Sequence, residues 1–85
     1  MDAAELKKRY RWQCRRGLLE VDMILNEYLE LAFDQDSTTH QQLFARLLHQ
    51  QDADLFEWFT RRSRAADAEL ADYVEHILAS RQRLH

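Results

Sequence analysis

The side chains best suited to chemistry in this chain are Cys14, four histidines (His40, His49, His76 and His85), and two carboxylates, Glu20 and Asp22, beside a basic cluster. A general acid and base must face one substrate, yet residues two apart on a helix point about 200° away from each other. Glu20 and Asp22 therefore cannot serve as such a pair from one helix. The histidines show no metal-ligand spacing among themselves or with Cys14, so the spacing predicts neither a metal site nor a catalytic centre. One cysteine makes no intrachain disulfide and no thiolate cluster, which predicts a reducing, cytoplasmic setting. A single glycine, Gly17, cannot build a P-loop, a dinucleotide fingerprint or a nucleophile elbow.

That glycine is nevertheless informative. It stands in CRRGLLEVD, residues 14–22, in a chain without proline. Glycine inside a helix is about 1 kcal/mol worse than alanine, so a local reason is required: a joint between helices, or close approach of another surface to a backbone with no Cβ. Arg16 and Glu20 are four apart, a spacing that permits an exposed helical ion pair worth a few tenths of a kcal/mol. With Arg15 alongside and Asp22 beyond, the bare glycine is framed by charged donors and acceptors suited to a polar protein surface. Arg15, Arg16, Gly17, Glu20 and Asp22 are the candidate partner-binding residues.

The elements that must position them read as helices. Leu6, Tyr10 and Cys14 recur at helical spacing over residues 3–14, and Leu18, Val21, Leu25, Tyr28, Leu29 and Ala32 form a stripe over 17–33, the expected longest and central helix. FDQDSTTHQQ breaks the pattern; Ser37 or Thr38 caps the next helix, with Gln41 placed for a capping box, and Leu43, Phe44, Leu47 and Leu48 face inward. Asp52 is the expected N-cap of a short helix that buries Leu55, Phe56 and Phe59. A last helix carries Leu70, Tyr73, Val74, Ile77 and Leu78 and is expected to fray through SRQRLH. For Trp12 and Trp58, core packing and interface anchoring both stay open. No segment alternates as a strand does. The expectation is an all-α, single-domain bundle of about five helices over residues 1–85.

At 85 residues, 46% hydrophobic and 32% charged, the chain has enough apolar surface for one small core and little room for a buried cavity, which argues against an enzyme. Residues 1–16 carry a net +4 and the remainder −7. A basic edge on an acidic body can steer a charged partner, but the acidic later helices would be repelled by phosphate, so no nucleic-acid partner is expected. No apolar run approaches the roughly 20 residues needed to span a bilayer, and no signal-peptide core is present, so no membrane insertion is expected.

The motif RRGLLEVD resembles the Arg-Gly-x-x-Glu signature of the SdhE family, small assembly factors for succinate dehydrogenase. LFARLLHQQDADLFEWF and ADAELADYVEHI resemble the second and third blocks of that family, in the same order and at matching length. Ala53 and SRAA replace the proline and glycine that family members often carry near the fourth and fifth helices. The resemblance implies a five-helix bundle that binds the flavoprotein subunit of succinate dehydrogenase, and in bacteria that of fumarate reductase, and promotes covalent attachment of FAD to a client histidine. It implies that Arg16, Gly17 and Glu20 are the functional motif, with Arg15 and Asp22 beside it, that FAD belongs to the client with no cofactor held stably by this chain, and that the factor is a monomer. A different view of similar proteins makes them antitoxin-like modules acting on an inner-membrane protein.

Overall fold

Apolar residues at steps of three and four carry each helix onto a shared interior in the computed structural model, which describes residues 3–84. The helices are α1 (Ala3–Gln13), α2 (Leu19–Leu31), α3 (Thr38–Leu48), α4 (Asp52–Phe59) and α5 (Ala68–Leu84), with a 3₁₀ turn at Phe33–Gln35. No strand occurs among the described residues, and the expected all-α bundle of five helices is the fold. Its radius of gyration of 12.0 Å matches the value of about 12 Å for a compact chain of this length.

Helix α2 is central, touching α1, α4 and α5, and it buries Val21, Ile24, Leu25, Tyr28 and Leu29. Leu43, Phe44, Leu47 and Leu48 of α3, Leu55 and Phe59 of α4, and Leu70, Tyr73, Val74 and Ile77 of α5 complete the core, as their spacing predicts. Aromatic rings knit the start of the chain to the rest: Tyr10 meets Phe33 edge-on at 5.6 Å between centroids, and Phe44 stacks on Tyr28 at 5.8 Å. Trp58 is half-buried against this core, whereas Trp12 stands 68% exposed.

Several boundaries differ from the sequence expectation, each for a local reason. Helix α2 begins at Leu19 because Gly17 has φ +85° and Leu18 is extended, so neither belongs to the helix. At 13 residues α2 is shorter than α5, which has 17. Ser37 caps α3, its Oγ accepting from the His40 N–H at 3.1 Å, but Gln41 closes no capping box and donates instead to the Phe33 carbonyl at 2.9 Å. Gln51, not Asp52, holds the N-cap position of α4, leaving the Asp52 carboxylate available to a distant partner.

Helix α4 ends in a Schellman motif, with Arg62 N–H donating to Glu57 O at 2.9 Å and Arg61 N–H to Trp58 O at 3.2 Å. Arg61 occupies the left-handed position, φ 61°, that glycine normally takes. Asp67 then caps α5 by accepting from the N–H groups of Glu69 and Leu70, and these bonds, with Arg46 nearby, hold its carboxyl below the usual range. Helix α5 runs on to Leu84 and does not fray after Ala79; Arg81 Nε stands 3.6 Å from Glu27 of α2 and ties this last stretch down. His85 lies outside the described residues.

Candidate protein-docking site

The connection between α1 and α2 holds the candidate residues, and it divides them into two groups. Arg16 and Asp22 face inward. The Arg16 guanidinium donates to Asp52 Oδ1 at 2.6 Å, to the carbonyls of Gln13 at 3.0 Å and Leu48 at 2.7 Å, and to that of Gln50 at 2.5 Å. One side chain thus joins the end of α1 to the end of α3 and the start of α4. This planar fork satisfies several acceptors at fixed angles, which a lysine could not do. Asp22, in the first turns of α2, reaches back to accept the N–H of Arg16 at 2.7 Å and of Gly17 at 3.3 Å.

Arg15, Gly17 and Glu20 face outward. The Arg15 guanidinium lies over the exposed ring of Trp12, 5.1 Å from its centroid, a cation–π arrangement. Gly17 is required by its left-handed φ, and apart from the glycine and its two chain neighbours no described atom lies within 4 Å of where a Cβ would stand. Of the two readings of this glycine, the joint is therefore realised, and the space above it is open. The Glu20 carboxylate makes no hydrogen bond or ion pair among the described residues. The spacing argument for an Arg16–Glu20 pair fails because Arg16 precedes the helix and its guanidinium is turned toward α4.

Two further residues belong to this surface. Leu19 and Met23, four apart on α2, are 77% and 47% exposed on either side of Glu20 in sequence. Their signal was available: they are large apolar residues out of phase with the buried stripe of Val21, Leu25 and Leu29. Asp52, the partner of Arg16, had no such local signal.

Half of the basic edge is engaged in ion pairs within the fold. Lys7 pairs with Asp34 at 2.7 Å, Arg11 grips Glu30 through Nε and Nη2, and Arg16 is held by Asp52. The Arg11 contact holds the Glu30 carboxyl below its ordinary value. Beneath the connection Cys14 is fully buried, and burial pushes its thiol up to about 12 despite the nearby Arg16 charge. It is a packing residue in an environment that suppresses the reactive thiolate.

No helix among the described residues is long and apolar enough to cross a membrane. Residues 8–81 match the protein family described as "Flavinator of succinate dehydrogenase". The chain is 37% identical over 78 residues to a protein of Idiomarina loihiensis, covering 92% of this chain and 87% of the relative. It is 39% identical over 79 residues to a protein of Vibrio cholerae, covering 93% and 92%, and 43% identical over 72 residues to one of Colwellia psychrerythraea, covering 85% and 79%. Each of these relatives bears the name "FAD assembly factor SdhE".

Proposed function

The chain belongs to the family of flavinators of succinate dehydrogenase, and on that premise we propose that it is an assembly factor that docks on the flavoprotein subunit and promotes its covalent attachment to FAD. The observation that carries this reading is the outward display of Gly17 and Glu20, beside exposed Leu19 and Met23, on a connection held rigid from behind by Arg16 and Asp22. Leu19 and Met23 supply apolar contact area, Gly17 permits close approach, and Glu20 and Arg15 supply charged partners. The flavin belongs to the client, and this chain is not itself the enzyme.

Forming the flavin–protein bond requires the client histidine and the flavin to reach a near-attack arrangement together. A small protein that binds this arrangement more tightly than the open one raises its population by the ratio of the two affinities. Arg15, Gly17 and Glu20 would hold client loops in place while the client performs the chemistry. The factor acts as a cytoplasmic monomer that releases its client afterwards; the flavoprotein of fumarate reductase is a second client of the same chemistry.

The test is covalent flavin on the succinate dehydrogenase flavoprotein, read by in-gel fluorescence after denaturation in cells lacking this chain. Wild type is expected to restore the signal. Glu20→Ala is expected to reduce it severalfold while changing stability by no more than about 0.5 kcal/mol, because Glu20 is an exposed residue. Fluorescence that does not depend on the chain would overturn the assembly role, and co-purification with an inner-membrane protein would then favour the antitoxin-like alternative. Full activity of Glu20→Ala would move the docking surface elsewhere.

A further inference from the structure

The histidine spacing predicts no metal centre, but the fold brings His76 onto Asp36 and His40, which lie four residues apart. Asp36 precedes the cap of α3, His40 lies in its first turn, and His76 comes from the middle of α5. One ligand atom from each lies within 4.8 Å of the other two, and Asp36 Oδ1 stands 3.6 Å from both His40 Nδ1 and His76 Nε2. We propose that Asp36, His40 and His76 form a binding site for one Zn2+ ion, which would staple α3 to α5. This site is independent of the docking surface.

The distances suit the ion. Nitrogen and oxygen ligands held about 2.0–2.2 Å from a tetrahedral Zn2+ are separated by about 3.3–3.5 Å, so the two carboxylate–imidazole pairs need to close by a few tenths of an ångström, and the two imidazole nitrogens, within 4.8 Å of each other, must also draw together. Small rotations of the imidazoles accomplish this. The donor set, two imidazoles and one carboxylate, favours a borderline divalent metal over Ca2+ or Mg2+, which require mainly oxygen.

The surroundings resemble the support that metal ligands receive. The Tyr28 hydroxyl donates to Asp36 Oδ2, leaving Oδ1 directed at the two imidazoles, as an outer partner orients a ligating carboxylate. Tyr73 packs against both rings, with centroids 5.4 Å from His40 and 6.0 Å from His76. Its own hydroxyl is buried without a hydrogen-bond partner of ordinary geometry. The Asp36 side chain is 11% exposed, while those of His40 and His76 are about one-third exposed, leaving a path for an ion and for a water as fourth ligand. The two imidazole rings lie with centroids 4.2 Å apart, close enough to face one shared ion.

The experiment is calorimetric titration of Zn2+ into the full chain after chelator treatment, with thermal unfolding followed in parallel. One ion per chain is expected, with a rise in Tm. His76→Gln and Asp36→Asn are each expected to weaken binding by about tenfold or more, while His49→Gln, an exposed residue outside the cluster, leaves it unchanged. Far-UV circular dichroism without metal checks that each variant is folded. If either fails to fold, the visible spectrum of the Co2+-loaded wild type decides: tetrahedral bands without thiolate charge transfer support the site and exclude Cys14. Absence of a bound ion in folded wild type, unchanged affinity in folded His76→Gln and Asp36→Asn, or a thiolate band would overturn the proposal.

Discussion

The Asp22 carboxylate crosses the α1–α2 connection to accept the backbone N–H of Arg16 at 2.7 Å, while the Arg16 side chain binds the α3–α4 connection. The two charged residues are therefore framework for the outward patch. Arg16→Ala is expected to lower stability by about 2–3 kcal/mol, the range for losing charge-assisted hydrogen bonds at a partly buried site. Arg16→Lys should recover less than half, because an ammonium cannot span the same fork of acceptors. Urea unfolding measures both; a loss below 0.5 kcal/mol for Arg16→Ala would mean that water replaces the network at little cost.

Gly17 poses a separate question of strain against docking. Any L side chain at φ +85° carries a backbone penalty, about 1–2 kcal/mol for most residues and less for asparagine. The open space around the position means that Gly17→Arg and Gly17→Asn should both remain folded, with a lower Tm for Arg. Under the docking proposal, Gly17→Arg abolishes covalent flavinylation and Gly17→Asn retains part of it. Unfolding of Gly17→Arg at 25 °C would reduce the glycine to a joint, and full activity would remove it from the contact surface.

Cys14 links the core to pH. Its thiol is protonated in both states at neutral pH; above about 8.5 the unfolded chain releases the proton, while the folded chain retains it until about 12. Stability should thus decline as pH rises through this window, and the raised hydroxyls of Tyr28 and Tyr73 add to the decline at higher pH. Cys14→Ala should flatten the first part of the curve. A thiol reagent at pH 8 is expected to label Cys14 only after denaturation; rapid labelling of the native chain would show that the connection opens readily.

Arg61 offers a stabilising substitution. Its left-handed conformation at the end of α4 suits glycine, so Arg61→Gly should raise stability by about 0.5–1 kcal/mol. The exposed contact between Arg61 and Glu75 at 3.0 Å is worth only a few tenths against this. A fall in Tm would show that the ion pair outweighs the backbone strain.

The sequence was most legible where one helix decides its own face. The steps through Leu43, Phe44, Leu47 and Leu48, and through Leu70, Tyr73, Val74 and Ile77, predict the buried sides of α3 and α5 without reference to the rest of the chain. It was least legible where a residue answers to something distant. Asp52 has the type and place of an N-cap, but its carboxylate is engaged by Arg16 from 36 positions away. Arg16 and Glu20 have the spacing of a helical pair, but a single left-handed residue between them removes the helix. His76 likewise meets Asp36 and His40, themselves four residues apart, only because α3 and α5 pack side by side. Periodicity records which side of a helix is buried; it carries no information on which loop carbonyl or imidazole another element will present.

Three of the acceptors around the Arg16 guanidinium, at Gln13, Leu48 and Gln50, are main-chain carbonyls, which every amino acid supplies. The side chains at positions 13 and 50 can therefore change without loosening the network, provided the backbone path is kept. Within this network the demand for identity falls on the arginine and its carboxylate partner, as it does on Gly17 and Asp22 in the adjoining connection. Such a site can retain its shape while much of the sequence around it drifts, and two chains with few residues in common could present the same surface to the same client.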